Sequence, residues 1–306
     1  MYLKHFGFNE FPFTLTPNLR FFCDLNSYKE ALNIVMVSLH NGDGFVKITG
    51  EVGTGKTLLC RKLLNILDDN FITAYISHGV SDLFDLQKAI AHELEITIPE
   101  NINNHKLLTL ITNKLITLHN YGKRVIVIID EAHTLSDQTL EGLRLLSNLE
   151  TESDKLIQIV LVGQPELDRK LKKPHLRQLE HRIVFSYRLP NLNSHNEILT
   201  YICFRLSSAG YHRTYDSIFS PQAIKLLLKE SRGIPRLINI LCHKALLITY
   251  GYNKSMVDID AIKMAVDDTD CIANMSQAGI LDYSLKITFT LLLTVTVGIS
   301  AYLLFT

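Results

Sequence analysis

The sequence predicts an α/β chain in which a parallel sheet with helices on both faces is followed by a small all-helical unit and one apolar C-terminal helix. Three observations predict it. Short apolar strands alternate with helical segments between residues 41 and 190, the pattern of a parallel sheet with crossover helices. After Leu189-Pro190-Asn191-Leu192 the β pattern stops and helix follows helix. Residues 287–306 carry no charge and stand directly after Lys286.

The sheet is organised around Gly50–Thr57, Gly-Glu-Val-Gly-Thr-Gly-Lys-Thr, which fits G-x-x-x-x-G-K-[ST] without a mismatch. At ordinary residue usage a chance match in a chain of this length has odds on the order of 1%. The flanks fit as well, since Phe45–Thr49 reads as a buried strand and Leu58–Leu64 has helical spacing. This is the Walker A arrangement, with Gly50, Glu51, Val52, Gly53, Thr54, Gly55, Lys56, Thr57 and Leu58 as the expected ATP-binding loop. Its glycines allow a tight bend that aims backbone N–H groups and a helix N-terminus at one anion. Lys56 is expected to reach the β- and γ-phosphates, and the Thr57 hydroxyl to hold Mg²⁺.

At 306 residues and 47% hydrophobic content the chain is long and apolar enough for a sizeable core. Its formal charge is zero, so no overall basic excess points to nucleic acid. Cys23, Cys60, Cys203, Cys242 and Cys271 are scattered, without C-x-x-C spacing, which argues for reduced thiols over a disulfide framework or a zinc site. The twelve histidines form no H-E-x-x-H pattern.

The C-terminal stretch has the length of one membrane crossing. Its dozen or so strongly apolar residues favour insertion by on the order of 5 kcal/mol. A buried core helix is the competing reading, weakened because apolar residues cover every face of the segment. Met1–Phe6 lacks the apolar run of a signal peptide. The expectation is a single-pass protein of the inner (cytoplasmic) membrane, with Lys286 on the cytoplasmic side and the ATPase unit in the cytoplasm.

In chain order, residues 1–40 crowd Phe6, Phe8, Phe11, Phe13, Phe21 and Phe22 among prolines, then turn helical from Ser27 to His40. This segment is expected to pack on the ATPase core, with some aromatics open to a role at the adenine. After the loop, a strand at Phe71–Ile76, helices at Asp82–Leu94 and Asn104–His119, and a strongly apolar strand at Arg124–Ile129 follow. That last strand ends in Asp130-Glu131-Ala132-His133, the Walker B pattern, where a strand buried on both faces delivers acids to its carboxyl end. Asp130 is expected to orient Mg²⁺, and Glu131 to polarise the attacking water. A helicase reading of this DEAH string would need a second RecA-like domain, for which there is no room, so His133 is read as a supporting residue.

A helix at Ser136–Glu150 and a strand at Ile157–Val162 lead to Gly163-Gln164-Pro165-Glu166. Gln164 is the candidate γ-phosphate sensor, with Asn148 in reserve and plain loop hydrogen bonding the alternative. Arg177 and Arg182 precede the strand Ile183–Tyr187, and Arg182 can act as a finger on a neighbouring subunit's nucleotide or form a surface ion pair. Helices follow at His195–Ala209, Ser220–Ser231, Pro235–Tyr250 and Asp258–Asp268, with Gly233-Ile234-Pro235-Arg236 opening the third. Such a lid would convert nucleotide state into a domain angle, with Arg236 reaching the γ-phosphate. The boundaries are thus an N-terminal segment 1–40, an ATPase core 41–190, a lid 191–270, a linker 271–285 and a transmembrane helix 286–306.

The stretches Met1–Phe8, Pro12–Pro17, Thr49–Leu64, Ile129–His133, Leu143–Thr151, Gln158–Leu167 and Gly233–Arg236 together resemble the AAA+ ATPases of the ExeA/GspA type from type II secretion, especially the MshM-type branch of MSHA pilus biogenesis. The resemblance implies an AAA+ fold with lid and a homo-oligomer with ATP sites between subunits. It also implies work alongside inner-membrane pilus or secretion assembly proteins. It supports Arg236 as a second sensor and points to the segment around Arg182 for the finger. ExeA-type proteins continue past the membrane segment into a peptidoglycan-binding domain, whereas this sequence ends at Thr306, so the pilus-associated branch is expected. The competing reading is an ATP-dependent DNA-transposition regulator of the TnsC/TniB type, against which the apolar C-terminus and neutral charge argue. A scaffold without turnover is a third, opposed by the intact Asp130-Glu131 pair.

Overall fold

The computed structural model describes residues 2–77, 80–152, 154–211 and 218–269. Five strands, β1 (Phe45–Gly50), β2 (Phe71–Ile76), β3 (Arg124–Ile129), β4 (Ile157–Gly163) and β5 (Ile183–Leu189), form a sheet ordered β2-β3-β4-β1-β5. All four pairings are parallel. Thr49 is in register with Gly163, and Ile129 with Leu161. The residues that follow β1, β4 and β3, namely Glu51, Gln164 and Asp130, therefore stand along one edge of the sheet, where such sheets bind ligands.

Helices α1 (Tyr2–Phe6), α2 (Asn26–Asn41), α3 (Lys56–Ile66), α4 (Leu83–Glu93), α5 (Asn104–Asn120), α6 (Asp137–Leu146), α7 (Glu166–Leu171) and α8 (Arg177–Glu180) belong to this unit and its N-terminal arm. Strand alternation divides its core. Ile126 and Ile128 of β3 pack with α2 and α3, while Val125, Val127 and Ile129 pack with α4, α5 and α6. Helices α7 and α8 lie within residues 166–180, where the sequence predicts no helix. Helix α6 is shorter than the expected Ser136–Glu150, because Ser147 Oγ and Arg182 Nη1 both donate to the Arg144 carbonyl where the next helical turn would.

The lid comprises α9 (His195–Ser208), α10 (Pro221–Ser231), α11 (Pro235–Gly251) and α12 (Ile259–Asp267). Ser194 and Glu197 close a capping box on α9, and Ser220 caps α10 ahead of Pro221. Lid and sheet share one continuous core through the N-terminal segment. The expectation that residues 1–40 pack on the ATPase core needs correction for their first part. Tyr2 meets His243 of α11 at 3.0 Å, Phe8 stacks near Tyr211, and Phe13 lies edge-on to Phe219. The lid offers these aromatics an apolar face, whereas the face of β1 and β5 is taken by α2.

Arg205 of α9 secures this arrangement. It is only 4% exposed, donates to the carbonyls of Pro12 (2.7 Å) and Thr14 (3.0 Å), and lies over the Phe21 ring. Burial pushes its pKa below the usual arginine value, with the phenol of Tyr201 opposing.

The sheet joins the lid at Leu192, whose N–H donates to the Gly233 carbonyl at 2.9 Å. Gly233 has φ +69°, and a Cβ there would lie 1.7 Å from the Leu192 carbonyl oxygen. Neither the backbone angle nor the space suits another residue. Gly233→Ala is expected to cost about 3 kcal/mol or more. Thermal unfolding should then show Tm lowered by roughly 6 to 12 °C.

Among the described residues no helix is long and apolar enough to cross a membrane. The expected linker and transmembrane helix, residues 271–306, lie outside the described residues.

Candidate active site

Gly55, with φ +88°, ends the loop and caps α3, so that Lys56 and Thr57 form the first turn of that helix. Lys56 is buried, and its ammonium donates to the carbonyls of Gly50 (2.8 Å) and Glu51 (2.9 Å). Burial lowers its pKa, and the carboxylates of Glu131, Asp130 and Glu51 pull it back up. The Thr57 hydroxyl donates to Asp130 Oδ2 at 2.7 Å, which brings the two expected Mg²⁺ ligands together.

Asp130 is buried at the end of β3, and its other oxygen accepts from the Glu131 N–H at 2.9 Å. Glu131 itself has φ +53°, a left-handed conformation costly for a residue with a side chain. This backbone aims Asp130 and Glu131 to different partners. Gln164 Nε2 donates to Glu131 Oε2 at 3.3 Å, and His133 Nδ1 lies 3.4 Å from the same oxygen. Lys170 of α7 donates to the carbonyls of His133 and Leu135 and so secures the turn that carries them.

Gly53, Gly55, Lys56, Thr57, Glu131, Gln164 and Arg236 line one cavity of about 300 Å³. Thr14–Asn18, Phe21 and Phe22 line the same cavity. Of the N-terminal aromatics, Phe21 and Phe22 thus reach the site, while Phe6, Phe8 and Phe13 belong to the lid core. Arg236 arrives through direct contact between lid and loop. Its backbone N–H donates to the Gly53 carbonyl at 3.1 Å, and a Cβ on Gly53 would stand 2.7 Å from the Arg236 Cβ.

Arg182 is not brought to this cavity. It precedes β5, whose first residue pairs with Phe45 at the opposite end of β1 from the loop, about 20 Å away at 3.3 Å per residue. Its guanidinium donates to Ser147 Oγ at 2.9 Å, which replaces the surface ion pair considered for it. Arg177 and Asn148 are both exposed, and neither is among the residues that line the cavity.

Four contributors escaped the sequence reading. Tyr75 lies with its hydroxyl 3.4 Å from Asp130 Oδ2, and its pKa is raised by burial and, to a lesser degree, by nearby acids. Lys47, inside β1, pairs with Asp168, which also accepts from Thr49 at 3.1 Å. Tyr28 donates to the Thr54 carbonyl. A lysine inside an apolar strand is the one visible signal, since a cation held partly out of water requires a partner.

The AAA domain family matches residues 39–171. General secretion pathway protein A of Aeromonas hydrophila is 42% identical over 250 residues, 82% of this chain and 45% of that protein. The chain therefore spans less than half the length of that relative. Among solved structures, the Aeropyrum pernix ORC2 protein in its ADPNP–ADP complexes aligns with a TM-score of 0.60 at 17% identity, over 82% of this chain and 72% of that one. Cdc6p from Pyrobaculum aerophilum gives 0.60 at 19% identity, over 78% and 67%. These two likenesses speak for the fold alone. An identity of 42% carried well beyond the sheet unit goes further: the chain belongs to the AAA ATPases of the general secretion pathway protein A type.

Proposed function

We propose that this chain is a membrane-anchored ATPase that hydrolyses ATP at sites shared between copies of itself. Its work would support assembly of a type IV, MSHA-like pilus or a type II secretion-like envelope machine. The convergence of Lys56, Thr57, Glu131, Gln164 and Arg236 on one cavity carries the hydrolytic part. The relative's name, General secretion pathway protein A, and the uncharged stretch 287–306 support the rest.

Thr57 and Asp130 offer only oxygen donors, 2.7 Å apart, a donor set suited to a hard divalent cation. They would hold Mg²⁺, which when bound offsets negative charge on the β- and γ-phosphates. Lys56 leaves the Gly50 and Glu51 carbonyls for the phosphates, an exchange of neutral acceptors for anionic ones. Glu131 orients a water and accepts its proton as the oxygen bonds to the γ-phosphorus and the bond to the β–γ bridging oxygen breaks. Gln164 holds Glu131 and can follow the γ-phosphate, while Arg236 stabilises charge from the lid side.

The test of the cellular role is complementation in the source organism. A strain lacking this chain should lose surface pili or secreted protein and recover them with the wild-type chain, but not with Lys56→Ala. Full recovery by Lys56→Ala, or recovery of the full chain in the soluble fraction, would overturn the reading. Salt-sensitive binding of duplex DNA by the purified chain would turn it towards a nucleic-acid regulator.

A further inference from the structure

We propose that Tyr28 is a positioning residue for the Walker A loop, its hydroxyl fixing the Thr54–Gly55 peptide so that the Gly55 N–H faces the bound phosphates. This rests on the ATP-binding reading of the same site and deepens it.

Tyr28 stands in the first turn of α2, outside every recognisable motif. Its ring is buried and held edge-on by Phe22, with centroids 5.4 Å apart. The hydroxyl donates to the Thr54 carbonyl, and a Cβ built on Gly55 would stand 3.0 Å from that hydroxyl. In a trans peptide the C=O and the following N–H point in opposite directions. A donor that holds the Thr54 carbonyl on the Tyr28 side therefore directs the Gly55 N–H to the other side, into the loop.

The neighbouring peptide is treated in the same way from the lid. The Gly53 carbonyl accepts from the Arg236 N–H at 3.1 Å. Inside the loop, the Gly50 and Glu51 carbonyls are taken by Lys56. Two consecutive carbonyls of the loop are thus held by elements that lie outside the Walker motif, one N-terminal and one in the lid. A loop with two glycines at positive φ has little conformational preference of its own, so these external donors decide which way its peptides face. Simple filling of space does not explain a hydroxyl here, since phenylalanine would fill the same volume without having to satisfy a buried donor.

The test compares the detergent-solubilised full-length protein with Tyr28→Phe and Leu32→Ala, titrating a fluorescent ADP and a fluorescent ATP analogue. Tyr28→Phe should weaken both by about tenfold, the loss of one hydrogen bond, with the number of sites per chain unchanged. Leu32→Ala, which loosens the packing of α2 one turn further on, outside the cavity, but keeps the hydroxyl, should stay within about twofold of wild type. A purely structural role would lower the number of sites at unchanged Kd. That result, an unchanged Kd in Tyr28→Phe, or an equal loss in Leu32→Ala overturns the proposal. Failure of the wild-type chain to bind either nucleotide overturns the ATP-binding reading first, and this inference with it.

Discussion

Arg182→Ala is expected to lower ATP turnover by about 10³ to 10⁵ while leaving the affinity for ATP unchanged. The reason is geometric. Arg182 stands at the start of β5, some six residues of extended strand from the loop end of the sheet, so its guanidinium cannot act on the site of its own chain. Its tie to Ser147 and the α6 terminus fixes the guanidinium there, and the prediction is that it acts on the nucleotide of a neighbouring copy. Arg182→Lys should be nearly as inactive, because an ammonium lacks the planar fork that matches a phosphoryl oxygen pair. The decisive experiment mixes Arg182→Ala with Lys56→Ala. Each is inactive alone, but a mixed oligomer pairs an intact loop with an intact finger and should regain activity. No regain, with mixed oligomers shown to form, would mean that Arg182 has no role in trans.

Glu131→Gln should lose about 10² to 10⁴ in turnover and still bind ATP. The amide keeps the size of the carboxylate, and the left-handed backbone at residue 131 is unaffected by the exchange. What disappears is the base. The amide can still face Gln164 and His133 but cannot accept the proton of water. Lys56→Ala, by contrast, should lose nucleotide binding itself. Hydrolysis measured beside particle size separates the two, since Glu131→Gln should hold an ATP-dependent oligomer that wild type disassembles. Turnover retained in Glu131→Gln would move the base to another group, and Asp168 is ruled out for that part by its pairing with Lys47 and Thr49.

The strands were legible at nearly residue precision because each is a short apolar run bounded by turn residues, and a strand's signal lies within itself. The helices α7 and α8 were not, since α8 spans only Arg177–Glu180 and α7 only Glu166–Leu171, too short for periodicity to emerge. The N-terminal aromatics announced burial without a destination. Phe8 and Phe13 are apolar wherever they pack, and only the fold shows that their partners, Tyr211 and Phe219, lie in the lid.

The sequence by itself determined the phosphate loop, the Asp130-Glu131 pair, the strand ends that bring Gln164 near them, and the helical lid beyond Leu192, whose third helix follows Gly233. These are local patterns, with each residue's role set by neighbours within a few positions. Tertiary structure alone decided that Tyr28 and Arg236 grip the loop, that Arg205 binds the segment at Pro12 across 193 residues, and that Arg182 stands far from its own cavity. Hydrogen bonds between groups so distant along the chain leave no periodicity in it, because the backbone carbonyls they use belong to every residue type alike.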